Sequence, residues 1–546
     1  MKKFIALMLT ALLVMGIVSG CGTPANDDGS AAPAVQPADE PAEDEPAAEP
    51  QADGPVQGGT FITVIPGDPE TYNPNMAMDE GGGMVAFQMY NNLVMLTSDY
   101  DIVPDLAESW EYNEDNTVLT FKLREGVKWH DGEDFTAEDV VFTMNTIKEQ
   151  NWASSSSLTN VVSVEAPDDY TVVFTSSAPD VTLHANLAWF SMYILPKHIH
   201  ENTDWASNPV FNSYVGTGPF KFVSAQTGVM VEFEANKDYF GEGPYIDRLI
   251  FQIVPDAQTE LQMWKNGEID YMYNSLMGAD AEFYENDPNT NVRLNMLCNR
   301  NYITFNFQKE DNPFLDVRLR RALSLALDRE QIFNVALSGL GAPAEYYISP
   351  MYDWALNEDA KIPARDVEAA KALLVEMGYT PDADGIYFSF TLPTFMAQNE
   401  LVVIQSNLRE AGIDMTVEMM DQSAWMEKVL MAQDFDVTLL GGDQGPEVSS
   451  IGARIGTGGS VNVGLYSNPE ADDLLARGAQ TGDLAERAEI YKEVQAIMAE
   501  DLPMVIITDT GMKYAASTNV HGLPMVDDAV RPLIGKLNLS RVWIEE

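Results

Sequence analysis

Leu401-Val402-Val403-Ile404-Gln405-Ser406-Asn407-Leu408-Arg409-Glu410-Ala411-Gly412-Ile413-Asp414-Met415-Thr416-Val417-Glu418-Met419 changes its apolar period half-way along. Leu401, Ile404, Leu408 and Ala411 recur at helical spacing, and Gly412 closes that face. Met415, Val417 and Met419 then alternate with polar or acidic residues, the period of a strand. A further strand follows at Phe435-Asp436-Val437-Thr438-Leu439-Leu440, ending in Gly441-Gly442-Asp443. Helices alternating with short strands predict sheets covered by helices, an α/β class.

The same pattern extends outward. Ala370, Leu373, Leu374 and Met377 form an apolar face closed by Gly378. Asp328 caps a helix carrying Ile332, Val335 and Ala336 that stops at Gly339. Nearer the start, residues 60–65, 118–123 and 171–175 read as strands. Thr136 reads as an N-cap with Asp139 three residues on, followed by Val140, Met144 and Ile147 at helical spacing. No fixed-period repeat is present. With 546 residues, the chain exceeds what one core sustains and predicts several domains.

The N-terminus carries an address. A basic Met1-Lys2-Lys3 precedes an apolar stretch from Phe4 to Val18, then Val18-Ser19-Gly20-Cys21. The stretch is short for a bilayer span, and this layout is that of a signal peptide, residues 1–20, with a lipobox. Cys21 is then the lipidated, palmitate-bearing first residue of the mature chain. Residues 21–57 are rich in Ala, Pro, Asp and Glu, without Lys, Arg or aromatics, and read as an extended tether. The folded body is therefore expected outside the cytoplasm, anchored to the cell membrane by lipid.

Composition excludes several functions. Lys plus Arg number 31 against 84 Asp plus Glu, a net charge of −53, which repels nucleic acid and anionic headgroups. The charge reads as a solvated surface, and an amine-bearing ligand is compatible with it but not required by it. Cys298 is the one cysteine left beside Cys21, so no internal disulfide is expected, and it reads as a buried, inert thiol. G-x-S-x-G, H-E-x-x-H and P-loop motifs are missing. His198 and His200 are two apart, which on a helix points them away from each other. His130, in Lys128-Trp129-His130-Asp131-Gly132, reads as structural. No enzyme, metal or cofactor is expected.

Seven motifs carry a resemblance. They are Asp68-Pro69 with Tyr72-Asn73-Pro74; residues 104–111, Pro-Asp-Leu-Ala-Glu-Ser-Trp-Glu; residues 121–132, Phe-Lys-Leu-Arg-Glu-Gly-Val-Lys-Trp-His-Asp-Gly, with Thr136-Ala137-Glu138-Asp139-Val140; Gly216-Thr217-Gly218-Pro219-Phe220; Gly267-Glu268-Ile269-Asp270; residues 316–323 with Asp328-Arg329; and Ala411-Gly412-Ile413. In this order, behind a lipobox and acidic tether, they resemble the extracytoplasmic solute-binding proteins of ABC importers, family 5, the peptide/nickel-binding class, in lipoprotein form.

The resemblance implies a two-lobed periplasmic-binding-protein-like fold of type II, with an accessory domain and a two-strand hinge. Lobe I is expected at 58–88, 181–303 and 504–546, the accessory domain at 89–180 and lobe II at 304–503. The hinge is expected near residues 303–307 and 504–509. The implied function is a receptor that captures an oligopeptide or similar amine-bearing solute between its lobes and delivers it to permease subunits, as a monomer. A metal chelate, glycoside or opine-like cargo is the alternative. Asp443 occupies the position at which peptide-binding members pair a carboxylate with the ligand's α-amino group. The family often shows a second Asp before the following proline, where this chain has Gly445. Tyr72, Tyr90, Thr394, Phe395 and Trp425 are further candidates for lining the cleft. Gly81-Gly82-Gly83, flanked by Tyr72, Met84 and Tyr90, reads as a flexible approach for a ligand.

Overall fold

Thr60–Ile65 forms a strand because its β-branched and aromatic residues suit a half-buried pleat, and it pairs in parallel with Arg248–Ile253. This computed structural model describes residues 54–545, apart from 77–78, 98–99, 190–191, 206, 208–212, 275, 397–398 and 524–538. The signal peptide, Cys21 and most of the tether lie outside the described residues. The first sheet continues from Arg248–Ile253 to Met230–Ala235 and Phe220–Gln226. A second, antiparallel sheet orders Ala107–Tyr112, Val118–Leu123, Thr171–Ser176 and Val161–Asp168. Helix Ala137–Glu149 lies against it, its start fixed by Thr136 N–H donating to Asp139 Oδ2 at 2.9 Å. One apolar cluster runs from Phe61, Phe233 and Phe251 through Tyr90 to Phe121, Val140 and Phe174. Residues expected in lobe I and in the accessory domain thus share a core.

The motifs of this half lock onto one another. Gly218 N donates to Met89 O at 2.8 Å, and a Cβ on Gly216 would stand 1.9 Å from Met89 O, so only glycine fits. Thr217 Oγ1 donates to Asn91 Oδ1 at 3.0 Å, and Asn91 Nδ2 donates to the buried Asp105 carboxylate at 2.8 Å. Gly81-Gly82-Gly83 is no flexible approach. It is the first turn of helix Glu80–Met89, capped by Asp79, whose Oδ1 accepts from Gly82 N at 2.7 Å. A Cβ on Gly81 would meet Gly67 O at 2.7 Å, so that glycine serves backbone packing.

The second half builds on the helix-to-strand unit. Phe388–Thr394 pairs in parallel with Ile413–Met419, and helix Glu400–Glu410 packs against the latter. Gly412 and Gly378 take positive φ, +72° and +90°, the left-handed turns that end the preceding helices. Asp328 caps as expected, Oδ1 accepting Gln331 N at 2.9 Å, but its α-turn is short and continues as a π-helical turn, Ile332–Ala336.

Two long strands, Thr290–Phe305 and Met504–Ser517, tie the halves together. One end pairs beside Tyr271–Met272, the other beside Val437–Asp443. Their ladder breaks between Met296↔Gly511 and Arg300↔Asp509, leaving 297–299 opposite Thr510 alone. The expected hinge residues Ile303 and Thr304 lie mid-sheet, paired on both sides.

Three histidines set an acid limit, His200 buried and His130 and His184 half-buried. His130 Nε2 lies 3.0 Å from Gly218 O, and Gly216 N donates to its Nδ1 at 3.2 Å, an arrangement that fits the neutral ring. Burial pushes His130, His184 and His200 down to about 4. Unfolded histidines protonate near 6.5. The stability these rings contribute is therefore complete above about pH 6.5 and is lost as pH falls towards 4. Buried Asp139 and half-buried Asp270, whose carboxyls desolvation pushes up, act in the opposite sense. Thermal unfolding is expected at lower temperature at pH 4.5 than at pH 7, with a shallower slope in His130→Gln. A flat profile would contradict this reading.

Candidate functional site

Val437, Thr438 and Leu439 are buried, and the strand then emerges into solvent at Gly441-Gly442-Asp443. Trp425 Nε1 donates to Thr438 Oγ1 at 3.1 Å, and Thr438 Oγ1 donates to Pro393 O at 2.8 Å, which fixes the buried end. The last rungs pair Gly441, Gly442 and Asp443 with Asn301, Arg300 and Asn299. A Cβ on Gly441 would lie 2.5 Å from Asn301 Oδ1, which demands glycine there. Beyond the strand, Gln444 N donates to Cys298 O at 2.8 Å, within the broken segment of the ladder. Asp443 thus stands where the strand Thr290–Phe305 interrupts its pairing with Met504–Ser517.

Gly445, where the resemblance leads a second Asp to be expected, has a physical cause in this structure. Gly445 has φ +121°, and a Cβ there would sit 2.4 Å from Ser450 Cβ. Its carbonyl accepts Tyr352 Oη–H at 2.7 Å. A second carboxylate cannot be placed at this point of the loop without rebuilding it.

Asp443 reaches water, yet protein walls surround it. That partial desolvation pushes its carboxyl above the usual range, more than the nearby Arg454 charge pulls it down. Arg454 itself donates to the backbone carbonyls of Asp443 and Gln444. Among the described residues, none donates a hydrogen bond to the Asp443 carboxylate.

Beneath this strand end lies a buried polar floor. Arg300 Nε and Asp509 Oδ1 are 2.5 Å apart, with both side chains at most 5% exposed. Arg300 Nη2 also donates to Tyr346 O at 2.8 Å. Glu400, the first residue of its helix and 3% exposed, accepts from Asn301 Nδ2 at 2.9 Å and Thr508 Oγ1 at 3.3 Å. The helix N-terminus favours that carboxylate, although burial pushes its pKa up.

The other expected lining residues separate into two groups. The rings of Phe395 and Trp425 meet at 5.0 Å, tilted by 58°, and pack with Leu440, directly before Gly441. Thr394 shares this corner but is fully buried, its hydroxyl accepting Met396 N at 3.0 Å. Tyr72 lies in the other half, half-buried against Tyr214 at 5.1 Å and Phe222 at 5.4 Å. Tyr90 is fully buried under Gly216 and serves as scaffold in this conformation. Cys21 lies outside the described residues. His198 pairs with Asp131 at 2.8 Å and His200 with Ser213 Oγ at 3.1 Å, so the two rings serve different partners.

One neighbour of Asp443 was not foreseen. Tyr100, from the half that holds the 107–176 sheet, lays its ring against Tyr352 at 5.2 Å and interacts electrostatically with Cys298 and Asp443. It takes a left-handed φ of +64°, a strain that marks a constrained turn. Its flanking Ser98-Asp99 and Asp101 signal a turn in the sequence, but not its contact with Tyr352.

A family profile for bacterial extracellular solute-binding proteins, family 5 (middle), matches residues 101–451, and the chain belongs to that family. It is a substrate-binding receptor of the ABC-importer class, with the two-lobed fold of that class. The oligopeptide-binding protein AppA of Bacillus subtilis is 28% identical over 100% of this chain and 99% of its own. The structure of AppA in complex with a nonapeptide has a TM-score of 0.73 at 27% identity, covering 90% of this chain and 100% of that one. The ABC transporter substrate-binding protein CtaP of Listeria monocytogenes has a TM-score of 0.79 at 28% identity, with 90% and 100% covered. The binding protein AgaA of A. tumefaciens R10, solved with agropinic acid, has a TM-score of 0.74 at 28% identity, with 89% and 99% covered.

Proposed function

We propose that this receptor captures a peptide, or a similar solute with a free amine, and presents it to membrane permease subunits. The observation that carries the reading is the Asp443 carboxylate. It ends a rigid strand beside the hinge, is partly desolvated, and accepts no hydrogen bond within the described residues. A ligand ammonium satisfies it with charge-assisted bonds. Phe395, Trp425 and, from the opposite lobe, Tyr72 supply aromatic walls. Lobe I is assigned to 58–88, 181–303 and 504–546, the accessory domain to 89–180 and lobe II to 304–503. In support of this division, two apolar clusters lie almost wholly within 298–507.

A second reading keeps the site but changes the cargo to an opine-like conjugate. The likeness to AgaA with its agropinic acid and the glycine at 445 favour it. Thermal-shift titration separates the two. Free-amine peptides are expected to raise the unfolding temperature, corresponding to about 2.7 kcal/mol at a hundred times Kd, and N-acetylated peptides to leave it unchanged. No response to any peptide, with a response to opines, would reject the peptide reading.

The receptor is further proposed to be tethered through lipid on Cys21. Cys21→Ser is expected to move it from the membrane fraction to the soluble extracytoplasmic fraction, checked by fractionation and immunoblotting. Retention on the membrane would contradict the anchor.

A further inference from the structure

We propose a halide-sized anion site behind Asp443, in the crevice lined by Arg300, Tyr302, Gly442, Gln444 and Arg454. The crevice has room for one body of about the size of water.

The lining offers donors. Arg300 is 4% exposed, and its Nη1 has no acceptor among the described residues, while Nε faces Asp509 and Nη2 is bonded to Tyr346 O. Gln444 is 2% exposed. Its Oε1 accepts Ser349 N at 2.8 Å, which fixes the amide and leaves Nε2 without an acceptor among the described residues. Arg454 lies beside the Tyr302 hydroxyl. Buried donors left unpaired are costly.

The buried carboxylate close by, Asp509, lies 2.5 Å from Arg300 Nε. An anion accepts from Arg300 and Gln444 and donates nothing. Charge points the same way. Arg300, Arg454 and the buried Arg329 near Arg300 stand here against two buried carboxylates, Asp509 and Glu400. The opposing group is Asp443, at the solvent-reaching strand end. The available room favours a monatomic ion over sulfate or a carboxylate. Because Arg300 and Tyr302 come from one hinge strand and Gly442 from the strand paired with it, the ion ties the floor of the site together.

Crystals of the described body soaked in sodium bromide test the proposal. An anomalous peak is expected within hydrogen-bond reach of Arg300 Nη1 and Gln444 Nε2. In solution, chloride is expected to raise the unfolding temperature by about 2 °C over gluconate at equal ionic strength. Gln444→Glu keeps the Ser349 bond and places a carboxylate in the crevice. It is expected to abolish both the peak and the chloride response, and Arg454→Met to weaken both. Water density without a peak, a peak unchanged in Gln444→Glu, equal stability in chloride and gluconate, or a solute carboxylate in the crevice would each overturn the site.

Discussion

Replacing Asp443 by Asn is expected to weaken binding of a free-amine peptide about 100-fold or more, with little change in the unfolding temperature of the unliganded protein. The substitution is nearly isosteric and removes only the charge. An ammonium buried against an amide loses its counter-charge in a partly desolvated place, a penalty of about 3 kcal/mol or more. The unliganded fold loses little, because no described residue donates a hydrogen bond to that carboxylate. Calorimetric titration of variant and wild type checks this. The pH dependence follows from the raised carboxyl pKa. Affinity is expected to decline as pH falls, starting above the ordinary carboxylate range, and to be flat in Asp443→Asn. Equal affinities would remove Asp443 from the site.

Arg300→Ala is expected to cost about 3–5 kcal/mol of stability, because it strands Asp509 as an unpaired buried carboxylate. Burial already pushes the Asp509 carboxyl up, and the Arg300 charge partly offsets it. Without Arg300 the folded state takes up a proton more readily than the unfolded one. The deficit of the variant should therefore narrow as pH falls. Arg300→Met combined with Asp509→Leu is expected to recover most of the loss, since an apolar pair needs no counter-charge. Denaturant titrations of single and double variants measure both effects. A neutral Arg300→Ala would show that this ion pair does not support the hinge.

Much of the architecture was legible in local patterns. Period change at Gly412, caps at Thr136 and Asp328, and the alternation at 60–65 and 118–123 all correspond to observed elements. The reading of Asp443 as a ligand group rests on resemblance, for nothing local distinguishes an acid after two glycines from a turn residue. What the sequence hid depends on distant neighbours. Arg300 meets Asp509, and Glu400 meets Asn301 and Thr508, only after three strands align in register. The register break at 297–299 carries no compositional signal. Gly81-Gly82-Gly83 misled for a related reason. Glycine signals local freedom, but here Gly81 permits a helix to approach the 67 backbone, and Asp79 supplies the cap.

The structure of the receptor with the solute it carries from its native membrane is the most direct test of two lobes closing on an amine at Asp443. An ammonium nitrogen about 2.8 Å from the Asp443 carboxylate, with Phe395 and Trp425 walling the ligand, is the expected result. A solute without an amine, or one lodged away from the end of strand Val437–Asp443, would contradict it.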